Sequence, residues 1–317
     1  MIQRWLSLFI VSVSILIGQS CSDQHRLQPI RLVYSNKVNY EPFIIANELG
    51  YFKEAGLNVQ VKLVPGGIHA AEALITGSAD AGAMGDAPAV ILISRKAPVK
   101  IVARYGKGEK IHRLLTKSEI RTSEDLKGKR LGIQAGSSTH GGFLLWAESR
   151  GLEINDVKIV PLNPLDIPAA MQTNQIDAMA GSEPWPTNVE NLCGDMVHEL
   201  DDFSGFGNGF PHVLVVTKRL VDNYPEAVMK LIHVLEKAIT YLIEHPDQAV
   251  EITSRHIGLS VQDQKKCTSR LIWGIGWDEQ DLESIDKTAR YMKRFGKIEN
   301  VPNLDEYVNI PTFITDN

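Results

Sequence analysis

The sequence predicts an α/β protein of two similar lobes, each a mostly parallel sheet flanked by helices, the lobes joined by two crossover strands. Three observations predict it. The chain repeats itself at an offset of about 96 to 100 residues. Within each copy, short apolar strands alternate with helix-patterned segments. An apolar leader sets the first residues apart from the fold.

The leader runs from Met1 to Cys21, with Arg4 ahead of the apolar run LSLFIVSVSILIG. That run is shorter than the roughly 20 residues a membrane-spanning helix needs, so it reads as an export signal. Cys21 stands where a bacterial lipoprotein signal places its acylated cysteine, and residues 22–29 read as a polar tether. The pattern resembles a lipobox with one departure: Gly18 occupies the usual leucine position, and Ile17 lies one residue too far upstream. Acylation of Cys21, giving a lipid-anchored protein on the extracytoplasmic face of the membrane, is the expectation; cleavage to a free soluble form is the alternative.

The 44% apolar and 22% charged composition is that of a globular protein, and a net charge of -5 leaves no basic footprint for nucleic acid. Cys193 and Cys267 have no CxxC or Cys/His spacing, so no metal site is indicated. One disulfide between them and two free buried thiols both remain open.

The repeat carries the fold prediction. Arg31-Leu32 and Arg130-Leu131 each open an apolar strand, and FII (43–45) matches FLL (143–145) at the start of a helical pattern. Gly56-Leu57 and Gly151-Leu152 close those helices, as glycine past a C-terminus does. VKLVP (61–65) nearly coincides with VKIVP (157–161), and Ala70-Ala71 and Ala169-Ala170 open short helices. Asp80 then pairs with Asp177, and Asp86 with Glu183.

HRLLTK (112–117) and HVLVVTK (212–218) are extended by composition and read as paired crossover strands forming a hinge. Residues 30–115 and 216–317 then form the first lobe and 116–215 the second. The C-terminal third is helical: Pro225 opens a segment with apolar residues three and four apart, and further helices start at Ser260 and at Asp278. A helical cap on the first lobe fits, as does a separate small helical domain.

In open parallel sheets, ligands bind beyond the carboxyl ends of the strands. Ser35, Asn36 and Tyr40 follow the first strand. Their counterpart is GSSTHGG (136–142), in which Gly136, Ser137, Ser138 and Thr139 expose amides and hydroxyls suited to an anion or a carboxylate. Helix capping alone would also explain those hydroxyls. Asp86 and Glu183 end equivalent strands, on opposing walls if the lobes close, where they could bind an amine; each could equally cap the following helix or pair with a hinge cation. Trp185 and Tyr40 are candidates to stack on a ligand, Gly66 to admit it near the backbone, and His212 to contact it from the returning strand. His112 is a weaker candidate, and His69 reads as exposed.

No G-x-S-x-G, H-E-x-x-H, phosphate-binding loop or dinucleotide fingerprint occurs, so the expectation is a non-enzyme with no cofactor and no metal.

The phrases IIANELGYFKEAGLNVQV (44–61), ALITGSADAGAMGDAPAV (73–90), TSEDLKGKRLGIQAGSS (122–138) and IDAMAGSEPW (176–185) resemble the sulfonate/nitrate/taurine-type substrate-binding proteins of ABC importers, a branch that includes binders of thiamine-pyrimidine precursors. The resemblance covers about residues 30–220. It implies a type II periplasmic-binding fold, a monomer that closes over a small molecule, and delivery to a permease and ATPase complex. It also implies that Ser35, Asn36, Asp86, the Gly136–Thr139 turn and Glu183 line the cleft. Many relatives read W-D-P-[WY] where this chain has Ser182-Glu183-Pro184-Trp185, and the CCCFC stretch of the enzymatic relatives is absent. An anion-binding turn facing two acids favours a zwitterion such as an aminosulfonate. A stacked heterocycle is the alternative, and simple nitrate ranks last because it has no use for two carboxylates. An exported ligand sensor would need the same cleft.

Overall fold

The computed structural model describes residues 29–309. The leader, Cys21 and residues 22–28 lie outside the described residues, so acylation stays an expectation from sequence.

The first copy of the repeat supplies β1 (Ile30–Tyr34), α1 (Glu41–Glu48), α2 (Tyr51–Glu54), β2 (Val59–Leu63), α3 (Gly67–Ile75), β3 (Ala81–Gly85), α4 (Asp86–Ser94) and β4 (Val99–Lys107). β5 (His112–Lys117) ends the first copy, and the second supplies β6 (Arg130–Ile133), α5 (Ser138–Ser149), β7 (Lys158–Pro161), α6 (Ile167–Gln172), β8 (Ala178–Ser182), α7 (Trp185–Cys193), β9 (Val197–Asp201) and β10 (His212–Thr217). Then follow α8 (Lys218–Asn223), α9 (Pro225–Glu244), α10 (Pro246–Ile257), α11 (Val261–Thr268), β11 (Ile272–Trp273) and α12 (Glu279–Arg294).

One sheet has the order β11-β4-β10-β3-β1-β2 and the other β7-β6-β8-β5-β9. Apart from β11, which has no counterpart, reversing the second and matching repeat positions gives the same order in both, with β5 and β10 exchanged between sheets. Each runs antiparallel to both its neighbours in the sheet it joins: β10 lies between β3 and β4, and β5 between β8 and β9. The expected crossover strands therefore do not pair with each other. Once each has a partner on both edges, neither has an edge left to offer the other.

The central strands β3 (AGAMG) and β8 (AMAGS) are buried at every residue, as strands covered by helices on both faces must be. Their small side chains let those helices approach. The edge strand β2 has no buried residue, and its Lys62 and Leu63 are exposed.

Matching ion pairs tie each copy together. Arg31 Nε meets Asp80 Oδ2 at 2.9 Å while the Arg31 amide donates to the same oxygen at 3.1 Å. Arg130 repeats both bonds on Asp177, at 2.9 and 3.0 Å. The Arg130 guanidinium holds Asp177 well below the usual carboxylate range. VKLVP and VKIVP, by contrast, are offset in space: Leu32 pairs with Val61, but its counterpart Leu131 pairs with Ile159 rather than Val157. The slip is two residues, one full side-chain period, so the same faces stay inward.

The C-terminal helices are not a separate domain. Buried Leu231, Ile232, Leu235 and Ile239 of α9 share one core with Ile44 of α1 and with Leu32 and Val102 of the first sheet. Ser260 caps α11 by accepting from the Asp263 amide at 3.0 Å, and Asp278 opens α12 in a capping box. Cys193 and Cys267 are free thiols, both buried.

Asp80 accepts from Arg31 and also from Arg219 Nη2 at 2.7 Å, at the junction of β1, β3 and α8. Replacing it with alanine leaves both guanidiniums and a strand amide without that partner. Asp80→Ala should lower stability by about 1–3 kcal/mol in chemical denaturation, with an unchanged m-value.

Candidate functional site

Parallel strands end where their following helices begin, so both sheets aim helix N-termini into the space between the lobes. Gly67 opens α3, Gly85 caps α4, Ser137 caps α5 and Trp185 opens α7; all four line one cleft with about 530 Å³ of empty space, counting the part open to solvent. The unsatisfied amides and positive dipole ends of these helices favour a negative charge there. The Ser137 hydroxyl accepts from the His140 amide at 3.2 Å, so this serine does cap its helix.

Among the described residues, Lys37 is the sole lysine or arginine lining the cleft, and no aspartate or glutamate shares that wall. Its side chain is buried, and burial alone lowers its pKa to about 8. Holding an ammonium there at neutral pH costs on the order of 3 kcal/mol without a ligand to offset it. Around it stand groups with free hydrogen-bonding capacity: among the described residues, Asn39 Oδ1, His112 Nε2, both nitrogens of His212 and Trp185 Nε1 are buried without a protein partner.

The lobes touch at the cleft. Ser138 Oγ lies 3.4 Å from the Ala87 amide, and a Cβ added at Gly85 would sit 2.5 Å from that hydroxyl. Gln134 approaches Gly66 in the same way, at 3.2 Å from a Cβ placed there.

Six of the expected ligand residues line the cleft: Tyr40, Ser137, Ser138, Thr139, Trp185 and His212. Six others lie outside its lining. Ser35 Oγ donates to the Pro65 carbonyl at 3.2 Å, and Asn36 Nδ2 donates to the His256 carbonyl. Gly66 borders the cleft beside Gln134, and the Gly136 amide donates to His140 Nδ1 at 3.0 Å. Asp86 is fully buried, accepting from the Ala87 amide at 2.8 Å and from Thr288 Oγ1 at 2.5 Å; burial pushes its carboxyl above the ordinary range. Glu183 accepts from Arg113 Nη1 at 2.9 Å and from the Thr187 amide at 3.2 Å. Both acids therefore satisfy helix starts and core partners instead of facing a ligand, because a carboxylate at a helix N-terminus finds amides closer than the cavity.

Over residues 37–249 the chain matches the family model described as NMT1/THI5 like. The chain belongs to the NMT1/THI5-like family. Among its curated relatives, a Brucella abortus protein named only as a binding protein is 29% identical over 83% of this chain and 84% of its own. The taurine-binding periplasmic protein of Escherichia coli K12 is 28% identical over 63% of each chain. The alkanesulfonate-binding protein SsuA of Xanthomonas axonopodis pv. citri, solved bound to MOPS, shares the fold with a TM-score of 0.81 at 22% identity, over 89% of this chain and 98% of that one.

In this member of the family, sequence reading missed Lys37, Asn39 and Gln134 as cleft residues and ranked His112 too low. Lys37 carried a usable signal, being a cation one residue past the expected Ser35-Asn36 pair in a strand-end loop. Gln134 follows β6 as Ser35 follows β1, so the repeat itself pointed to it.

Lys37 gives a stability prediction with a definite sign. Its pKa is lower folded than unfolded, so the unfolded chain holds more protons between about pH 8 and the ordinary lysine value. Ligand-free stability should therefore rise with pH through that window. Lys37→Met should remove the rise and stabilise the ligand-free protein at pH 7, both read by urea denaturation. Asp86→Ala should instead destabilise the ligand-free protein by about 1–3 kcal/mol, as loss of a buried hydrogen-bonded group does.

Proposed function

We propose that this protein is the extracytoplasmic solute-binding component of an ABC importer, a binder without a reaction of its own, and that its ligand is a small sulfonate-type anion. The observation that carries this reading is the cleft's charge: one buried, uncompensated Lys37 at the meeting point of four helix N-termini, with no carboxylate in the lining among the described residues. Family membership supports the binding role, and the sulfonate head common to the ligands named for two relatives supports the class. Delivery to a permease and ATPase complex and the extracytoplasmic location belong to the same reading, with the export leader in its favour.

The inward placement of Asp86 and Glu183 changes the ligand ranking. An ammonium group on the ligand has no carboxylate to meet among the lining residues, so a zwitterion is no longer favoured over a plain anion, and the objection to simple anions loses its basis. Methanesulfonate and ethanesulfonate should bind at least as tightly as taurine.

A thermal-shift panel of these sulfonates, nitrate and a pyrimidine tests the class. Ligand at 100-fold over Kd should stabilise by about 2.7 kcal/mol, a shift of several degrees. Lys37→Met should abolish the sulfonate response. In the wild type, affinity should fall up to about tenfold per pH unit above Lys37's pKa of about 8. A panel with no sulfonate response, or a response that Lys37→Met retains, rejects the proposal. Recovery of a chemically altered ligand rejects the binding-only role.

A further inference from the structure

We infer that His112 and His212 form a cross-lobe pair of ligand-contacting imidazoles, one contributed by each sheet. This deepens the anion-binding reading and rests on it.

The two residues occupy equivalent places in the repeat, each the first residue of the exchanged strand. His112 stands opposite Ser182, the last residue of β8, and His212 stands opposite Gly85, the last residue of β3. An antiparallel strand starts where its parallel neighbours end, so both imidazoles arrive at the cleft by topology. Both are buried, at 4% and 2% exposure, and both line the cavity.

Their surroundings leave hydrogen-bonding capacity unused. His112 Nδ1 lies 2.7 Å from Thr139 Oγ1, while its Nε2 has no protein partner. Neither nitrogen of His212 has one. The rings are held by aromatic contacts instead: His112 edge-on to Phe210 with centroids 4.5 Å apart, His212 tilted against Tyr105 at 5.9 Å. A histidine that served only the core would have its nitrogens bonded, as buried polar groups nearly always are.

The charges that bear on the rings are cationic. His212 and then Lys37 act on His112, and Arg104 acts on His212 while its Nε is bonded to Asp281 at 2.9 Å. Burial foremost, with these cations, keeps both imidazoles neutral, His212 with a pKa lowered to about 3. A neutral imidazole offers one N–H donor without adding charge. An anion held at Lys37 can therefore take a hydrogen bond from each sheet, and a ligand bonded to both sheets favours the closed arrangement.

The test uses the full folded protein with methanesulfonate as probe. Saturating probe should move the imidazole 15N resonances of both histidines. His212→Phe, which keeps the ring contact with Tyr105, should weaken binding at least tenfold while the ligand-free melting temperature stays level or rises; His212→Gln should recover part of the affinity. Resonances that stay still at saturation, or full affinity in His212→Phe, overturn the pair. If the wild type binds no sulfonate, the sulfonate proposal falls separately. The histidines are then judged by the ligand-free protein: a fall of several degrees in His212→Phe makes His212 an ordinary core residue and overturns the inference, and a level or raised value supports it.

Discussion

A strand that feeds a helix on its own sheet must end where that helix begins, and the site depends on this constraint more than on any single contact. With two sheets facing each other, their carboxyl edges converge, and α3, α4, α5 and α7 all begin at one cleft. The amides at those starts have no partner inside their helices, so the space they enclose is electropositive before any side chain is considered. Lys37 adds a full charge to a place already prepared for an anion. Three of these helix starts take a side-chain acceptor, from Ser137, Asp86 and Glu183, and the two acids turn inward to supply it.

The exchange of β5 and β10 makes the two lobes one molecule. Because an inner antiparallel strand of each sheet comes from the other copy, neither sheet is complete without the crossovers at 108–111 and 202–211. The crossovers are in turn held by C-terminal helices. Thr288 of α12 donates to Asp86 of the first lobe at 2.5 Å, while Asn208, in the returning crossover, donates to Thr288 at 3.0 Å and accepts from Ser284 at 2.6 Å. On α11, Gln264 and Thr268 donate to Glu41 of α1, and Cys267 Sγ lies 3.4 Å from Thr187 Oγ1 of the second lobe. Burial pushes the Glu41 carboxyl up to about 8, so at neutral pH it is a protonated group in the packing beside Tyr40. The helical cap thus bonds to the returning crossover and touches the second lobe as well as covering the first.

Polar groups in this fold divide into those that find partners within the chain and those that do not. Arg113 is fully buried and bonded to Glu183, Glu190 and Glu199, a cluster whose charges are met internally. Lys37, His112, His212 and Asn39 are also buried and keep charge or bonding capacity unused, all around one cavity. The contrast sets a buried ionic cluster bonded within the chain against buried polar groups left free beside the cleft. Identity of residue type does not make that distinction: Asp86 and Glu183 look like site residues in the sequence and behave as structure.

The sequence alone determined the two-copy plan, the order of strands and helices within each copy, and the starts of α9, α11 and α12. These rest on signals a few residues long: apolar periodicity, Gly56 and Gly151 after helices, Arg31 with Asp80 echoed by Arg130 with Asp177, and caps at Ser260 and Asp278. It also placed the cleft, since the ends of parallel strands follow from topology, and half of the ligand residues it named line that cleft. Tertiary structure alone decided which way each of those residues faces. Asp86 meets Thr288 from a segment 202 positions away, Asn36 meets the His256 carbonyl from 220 away, and Lys37 meets no acid at all. Whether a polar side chain is bonded inward or left free depends on neighbours distant in the chain, and local sequence carries no record of them.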